Sequence, residues 1–313
     1  MDYLKTIKDT IIKKYGIRFF PRQKEKFREY IKDEMEKLGW DTEIIKKNIV
    51  VGDVEKAEYV FTAHYDTPGK IPNFLRYLLE IFGHLKQIQA IIVFFIMYYI
   101  YRFAITKLVD LNIIPIFVSD LLQILPALVI IIAIFIPNRS NYNDNTSGVL
   151  TLLNIAHEIS MKNLDKEKIA YIFFNNEEWG LLGSAAMKKH FKKKKIDISK
   201  KKVINFDCVG NGDTILITHG KKEDLAKEIQ ERLKISSPCN VERFKYKIIP
   251  LSDDYTFRKD GVIGILYCKR TKLGGFYFPD IHCSKDKIVN IENIEFLTNE
   301  IINYIVRKKE VIR

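Results

Sequence analysis

The stretch EYVFTAHYD, residues 58–66, predicts a buried strand that ends in polar residues. The same arrangement recurs in KIAYIFFNN (168–176) and in KVINFD (202–207). Between the first two of these strands, SGVLTLLNIAHEIS (147–160) carries apolar residues at the 3–4 spacing of a helix. Because strands alternate with helices, the sequence predicts an α/β fold in which helices flank a mostly parallel central sheet.

Further elements extend this pattern towards both ends of the chain. A helix follows Pro21 over residues 22–38, and two strands lie within 41–53. Further on we expect a helix at 181–191, strands at 215–220 and 262–268, and a closing helix at 291–307. A chain of 313 residues has room for one large domain or two small ones.

Composition excludes a disordered chain. Hydrophobic residues make up 47% of the sequence and charged residues 29%, and the formal net charge is +12. The lysine-rich segment 188–202 has two interpretations, a solvated helix end or a contact with anionic lipid headgroups. No aromatic and basic binding motif accompanies it, so we expect no nucleic acid partner. Four cysteines without a C-x-x-C pair predict reduced thiols.

Two apolar runs interrupt the α/β alternation. The first is IQAIIVFFIMYYIYRFAI (88–105), and the second is LLQILPALVIIIAIFIP (121–137), which NIIPIF (112–117) can lengthen. A spanning helix needs about 20 apolar residues, so both runs can cross a bilayer. We therefore expect an inserted hairpin at 71–137, with transmembrane helices at about 88–105 and 113–137. Two alternatives remain: a hydrophobic core helix with a lid helix, and a re-entrant or interfacial hairpin.

Charge around the runs predicts the orientation of the hairpin. Arg76 and Lys86 precede the first run, and Arg139 follows the second. The connector carries Lys107 balanced by Asp110. This bias favours a cytoplasmic location for the rest of the chain. The first residues show no apolar segment or cleavage site of a signal peptide, which is in line with that expectation.

Acidic residues and histidines follow the predicted strands. His64 and Asp66 lie at the end of the first strand, Glu177 and Glu178 follow the second, and Asp207 follows the third. Asp144 comes just before a helix, where it can also be an N-terminal cap, and His282 lies in a loop. Open α/β sheets place their sites at the carboxyl ends of the strands. No nucleophile motif accompanies this set, and mixed nitrogen and oxygen ligands suit zinc or a similar divalent ion.

In order along the chain, these motifs resemble the M28 family of zinc aminopeptidases. The similarity lies in AHYDTP, NDNTSG, NNEEWGLLGS, INFDCVG, SDDYTFRKDGVIGI and IHCSKD, which together cover most of the chain outside roughly 71–137. The resemblance implies an α/β fold with a two-metal site. It also implies a single catalytic metallopeptidase domain formed by residues 1–70 and 138–313. The inserted apolar segment departs from the soluble members of the family.

The resemblance also implies a role for each candidate residue. Asp144 would bridge two zinc ions. Glu178 and His282 would complete one metal site, and His64 and Asp207 would complete the other. Asp66 would orient His64, and Glu177 would act as the general base. The peptide bond after Asp144 is expected to be cis. Co²⁺ or Mn²⁺ can replace Zn²⁺ with ligands of this kind.

The function expected from these roles is the release of N-terminal residues from peptides, at a membrane. Two other functions remain open: a one-metal acyl transferase that resembles glutaminyl cyclase, and a non-enzymatic membrane scaffold. In SDDYTF, Asp254 stands where relatives often have His or Tyr. A substrate role for Asp253, Asp254 or Tyr255 therefore competes with a solvated acidic turn. The oligomeric state is left open by the sequence.

Overall fold

A computed structural model describes residues 2–83, 87–246 and 250–311. Its α-helices are α1 (Tyr3–Tyr15), α2 (Pro21–Lys37), α3 (Asn73–Phe82), α4 (Gln87–Asp110), α5 (Ile116–Phe135), α6 (Gly148–Met161), α7 (Leu182–Lys194), α8 (Asp224–Ser236) and α9 (Ile291–Val311). Its strands are β1 (Thr42–Ile45), β2 (Asn48–Val51), β3 (Tyr59–His64), β4 (Ile169–Phe174), β5 (Lys202–Phe206), β6 (Thr214–His219), β7 (Asn240–Lys245), β8 (Ile263–Arg270) and β9 (Phe276–Tyr277). The α/β fold expected from the sequence is confirmed.

The strands form one mixed sheet in the order β1-β2-β4-β3-β5-β8-β6-β7, with β9 added to β8. The four central strands, β4, β3, β5 and β8, run parallel to one another. Antiparallel pairs join β1 to β2, β2 to β4 and β6 to β8. His64 pairs with Phe174 at the ends of β3 and β4, so the carboxyl ends of the central strands meet at one edge of the sheet.

Both faces of the central strands are covered by apolar side chains. Along β3, Phe61 and Ala63 belong to a core with α1, α2, α6 and α9. Val60 packs into a second core that includes Met187 and Phe191 of α7. Since successive side chains of a strand point to opposite faces, a sheet covered on both sides requires a continuous apolar run. This is why β3, β4 and β5 are so clearly visible in the sequence.

The inserted segment comprises α3, α4 and α5. The two apolar helices are long enough to cross a membrane, and only 6% of each candidate span, Ile91–Asp110 and Ile116–Phe135, is buried within the protein. The alternative of a hydrophobic core helix is therefore wrong, because core helices are covered by the rest of the chain. Lys86, which contributes to the charge argument for orientation, lies outside the described residues.

Candidate metal centre

Three parallel strands and two loops bring the candidate residues together. His64 is the last residue of β3, Asp207 follows β5, and Glu177 and Glu178 follow β4. Asp144 lies in the turn before α6, and His282 lies in the loop between β9 and α9. The structure thus places all of these side chains at the carboxyl edge of the sheet, as expected for an open α/β sheet.

Asp144 lies between the two histidines. Its Oδ1 is 3.4 Å from Nε2 of His64, and its Oδ2 is 3.1 Å from Nε2 of His282. On one side, His64 Nε2 is also 3.4 Å from Oδ1 of Asp207. On the other side, His282 Nε2 is 3.6 Å from Oε2 of Glu178. Two donor groups therefore share one carboxylate, with one of its oxygens facing each group.

The donor atoms in each group are close enough to hold a metal ion. Those of His64, Asp144 and Asp207 lie within 4.8 Å of one another, and so do those of Asp144, Glu178 and His282. Oε1 of Glu178 is buried without a hydrogen-bond partner among the described residues. Buried carboxylate oxygens are normally satisfied by a donor or a cation. Histidine nitrogens and carboxylate oxygens are the donors that zinc prefers, so the residues fit this ion.

The electrostatics of the site also favour a cation. Burial raises the pKa of Glu178 well above its ordinary value, and the neighbouring carboxylates of Asp144 and Glu177 raise it further. Burial alone would raise the pKa of Asp144 as well, but hydrogen bonds with His282 and His64 hold it below its ordinary value. The negative charges of these neighbouring carboxylates repel each other, and a divalent cation bound between them removes the repulsion.

Glu177 lies beside these two groups. Its carboxylate, His64 and Glu178 bring donor atoms within 4.8 Å of one another. Its backbone N–H donates to Oδ1 of Asp66 at 3.0 Å, and the same oxygen is 3.6 Å from Nδ1 of His64. Burial raises the pKa of Glu177 well above its ordinary value, and nearby Asp253 and Asp207 add to this effect while His64 opposes it.

The turn that carries Asp144 is held by groups without an assigned role in the sequence. Asp286 accepts hydrogen bonds from the backbone N–H of Asn143 at 2.8 Å and of Asp144 at 3.1 Å. Asn145 donates from Nδ2 to the Phe206 carbonyl at 3.1 Å. The Asp144–Asn145 peptide bond is cis, as the resemblance implies. Asp286 was visible only as the last residue of the IHCSKD motif.

Arg18 is a second residue that the sequence did not single out. It is fully buried, and its guanidinium donates to the Tyr65 carbonyl and, at 3.1 Å, to Oγ1 of Thr146. Burial lowers the pKa of Arg18 to about 10, although the carboxylates of Asp66, Asp144 and Asp286 oppose this shift. A guanidinium of this pKa stays charged at neutral pH, so Arg18 places a fixed positive charge behind the acidic site.

The segment 253–255 had two interpretations in the sequence, a substrate role or a solvated acidic turn, and the structure excludes the second. Asp253 and Asp254 are both buried, so the solvated turn is wrong. The two residues begin a short 3₁₀ helix packed against the sheet, and Asp254 accepts hydrogen bonds from Oγ1 of Thr218 at 2.7 Å and from the Tyr246 hydroxyl at 3.0 Å. Burial raises the pKa of both aspartates to about 7.

A parallel sheet that gathers histidines and carboxylates at one edge is the arrangement of a metal-dependent α/β hydrolase. The model of peptidase family M28 matches residues 138–303. The chain belongs to this family, which supports a metallopeptidase. A comparison with curated protein sequences finds no match.

Solved structures of related enzymes share the fold. The LapA aminopeptidase of Legionella pneumophila is 15% identical with a TM-score of 0.62, and the match covers 96% of this chain and 69% of that one. A glutaminyl cyclase of Porphyromonas gingivalis is also 15% identical with a TM-score of 0.62, and the match covers 98% of both chains. A glutaminyl cyclase of Bacteroides thetaiotaomicron has a TM-score of 0.58 at 15% identity, with 96% and 93% covered. These similarities show a common fold.

Proposed function

We propose that the protein is a membrane-anchored aminopeptidase with two zinc ions. The observation that carries this proposal is the position of Asp144, whose two oxygens face His64 and His282 separately. A carboxylate with one oxygen directed to each group is suited to bridge two ions. His64 and Asp207 then complete one site, and Glu178 and His282 complete the other. Zn²⁺ is the ion we expect, and Co²⁺ or Mn²⁺ can use the same ligands.

Zinc supplies Lewis-acid activation of water and of the scissile carbonyl when it is bound. The protein supplies the proton transfer. Glu177 lies next to both donor groups, so we assign it as the general base that takes a proton from the attacking water and delivers it to the leaving amine. Asp66 fixes the backbone of Glu177 through its Oδ1, in addition to facing His64.

A cavity of about 300 Å³ next to the donor groups can receive the N-terminal residue of a peptide. Glu177, which is not a proposed zinc ligand, contributes a carboxylate to its wall, and this favours the positive charge of a free α-amino group. Leu251 and Phe278 contribute apolar surface for a side chain. This combination favours peptides with a free N-terminus as substrates.

The location follows from the insertion. We propose that α4 and α5 cross the bilayer and that residues 1–70 and 138–313 form one catalytic domain on its cytoplasmic side. His64 precedes the hairpin, and the other candidate ligands follow it, yet they lie together. The chain must therefore return to the side from which it entered, which an even number of crossings achieves.

The purified protein in detergent tests this proposal. We expect two zinc ions per chain, release of the N-terminal amino acid from unmodified peptides, and loss of this activity after chelation. The same peptides with an acetylated N-terminus are the matched control and should stay intact. Cleavage of acetylated and free peptides at equal rates contradicts an aminopeptidase. A peptide with N-terminal glutamine that is cyclised with loss of ammonia, without hydrolysis, indicates instead a glutaminyl cyclase.

A further inference from the structure

A cavity of about 630 Å³ lies between the hairpin and the candidate metal centre. Its apolar wall is formed by three helices, with contributions from Leu75 and Leu79 of α3, Ile91 and Phe94 of α4, and Ile130 and Ile134 of α5. Glu178 and His282 line its polar end. The inserted segment thus forms most of a chamber that opens directly onto two of the proposed zinc ligands.

The same two residues also line the smaller cavity of about 300 Å³. A peptide bond positioned at Glu178 and His282 therefore has one cavity on each side. An exopeptidase that removes a single residue needs a small space for that residue and a larger one for the remaining chain. The two volumes, about 300 and about 630 Å³, match this asymmetry.

Charge decides which side of the peptide each cavity receives. Glu178 lines both cavities, so the difference lies in their other charged groups. The smaller cavity includes Glu177, which is not a proposed zinc ligand and whose carboxylate attracts an N-terminal ammonium group. The larger cavity includes Lys70, which repels it. The N-terminal residue is therefore favoured in the smaller cavity, and the residues that follow the cleaved bond extend towards the hairpin.

We propose that the larger cavity binds apolar residues directly after the cleaved bond, so that the substrates are hydrophobic peptides that reach the site from the bilayer. This inference rests on the aminopeptidase function proposed above. The occupant must be apolar, because it replaces water against leucine, isoleucine and phenylalanine side chains. The wall residues Ile91 and Ile134 belong to the two helices proposed to cross the bilayer and are 48% and 45% exposed, which suits entry of a substrate from the bilayer.

Two peptides with the same first residue test the proposal in lipid vesicles. We expect kcat/KM for Leu-Leu-Leu-amide to exceed that for Leu-Ser-Ser-amide by about tenfold or more, since the leucine side chains are removed from water in the apolar cavity. Ile130→Trp fills the cavity and should remove most of this preference by lowering kcat/KM for the apolar peptide alone. Ile131→Trp is the matched control, because Ile131 is 54% exposed and does not line the cavity. Equal rates for the two peptides, or the same change in both variants, overturn the proposal.

A second measurement does not depend on turnover. Peptides that carry a photoreactive leucine at position 1, 2 or 3 are bound to Glu177→Gln protein and irradiated. Labels from positions 2 and 3 should fall on α3, α4 and α5, and labels from position 1 near Leu251 and Phe278. The proposal is overturned if the label from position 1 falls on the hairpin, or if the labels from positions 2 and 3 fall away from it. If no peptide is cleaved by the unmodified protein, the aminopeptidase function fails, while the labels still decide which residues occupy the cavity.

Discussion

Asp144 is positioned by residues that are distant in the chain. The Asp286 carboxylate accepts hydrogen bonds from the backbone N–H groups of Asn143 and Asp144. The Arg18 guanidinium donates a hydrogen bond to the hydroxyl of Thr146 from behind the site. A carboxylate that accepts backbone hydrogen bonds fixes the orientation of the turn, and a buried guanidinium offsets part of the negative charge. Together they hold Asp144 between His64 and His282.

The assignment of Glu177 leads to the first prediction. Glu177→Gln keeps the shape of the side chain and removes its ability to accept a proton. We expect kcat to fall by about 10²–10⁴-fold, with zinc content and thermal unfolding midpoint unchanged. The measurement is peptide hydrolysis together with metal analysis of the same sample. Glu167→Gln, which changes an exposed glutamate away from the site, is the control and should keep full activity. Substantial activity in Glu177→Gln would exclude Glu177 as the general base.

The sequence predicted those site residues whose metal-binding side chains come at the end of a recognisable apolar strand. His64, Glu178 and Asp207 stand out because each follows a continuous apolar strand. Arg18 and Asp286 do not, because they act through contacts with Thr146 and with the backbone of Asp144 that only the folded chain creates. Sequence reasoning therefore found the proposed ligands and missed the groups that position them.

Asp254 carries a prediction about pH. Burial raises its pKa from 3.8 to about 7, so the folded state favours the neutral carboxyl. This group contributes stability that is fully present below pH 3.8 and is lost as the pH rises through about 7. Asp254→Asn stays neutral throughout. We expect the unfolding free energy of the unmodified protein to fall by about 2 kcal/mol more than that of the variant between about pH 5 and pH 7.

The measurement for Asp254 is chemical unfolding in one detergent at several pH values. Asp41→Asn is the control, because Asp41 is exposed and its removal should leave the pH dependence of the unmodified protein in place. A variant at Asp254 whose pH dependence equals that of the unmodified protein contradicts the assignment.

At the scale of elements, the base of the hairpin is joined to the site through backbone hydrogen bonds. Lys70 N–H donates to the Ile136 carbonyl at 2.9 Å, and Asn138 N–H donates to the Pro68 carbonyl at 3.0 Å. Ile71 N–H donates to the carbonyl of His282 at 3.0 Å. The loop after β3 therefore connects the end of α5 to one of the proposed ligands, so a displacement of α5 reaches the site directly.

Gly69 tests this connection. A Cβ at this position would lie 1.9 Å from the carbonyl oxygen of Ile134, so the close approach of the two backbones requires glycine. Gly69→Ala should separate the loop from α5, lower the stability by about 1–3 kcal/mol and reduce kcat/KM at the same time. Thermal unfolding and peptide hydrolysis of the same preparation measure both effects. Ile132→Ala, at an exposed position of α5, is the control and should change neither. An unchanged Gly69→Ala protein would show that the contact is not needed.

Elements differ in how well the sequence predicted them. The central strands were found because burial on both faces demands unbroken apolar runs, as in β3 and β4. The helix α3 was missed as a separate element, since it lies within the segment assigned to the hairpin. Its exposed Phe74, Tyr77 and Ile81 form an apolar stripe. From the sequence alone, such a stripe does not show whether it faces protein or lipid. The helices α1 and α8 were also missed, because their stabilising contacts come from the tertiary core.

At the scale of the whole molecule, apolar residues occupy two different environments. Those of the sheet and its helices are buried in the cores of the α/β domain. Those of α4 and α5 are left largely uncovered by the rest of the chain. Exposed apolar area of this extent is unfavourable in water and favourable in a bilayer. In the proposed topology, the balance of 47% hydrophobic residues and a net charge of +12 therefore combines two parts with different surroundings.

The proposed topology can be tested because the connector and the domain must lie on opposite sides of the membrane. In cells, Leu111→Cys places a thiol in the exposed connector between α4 and α5, and Lys193→Cys places one near the end of α7. An impermeant maleimide applied from outside should label Leu111→Cys alone, and Lys193→Cys should react only after the membrane is permeabilised. The unmodified protein controls for its four native cysteines. Because the proposed ligands on both sides of the hairpin share one pocket, labelling of both variants from the same side contradicts two crossings and favours a re-entrant or interfacial hairpin. Labelling of Lys193→Cys alone from outside would keep the two crossings and reverse the orientation.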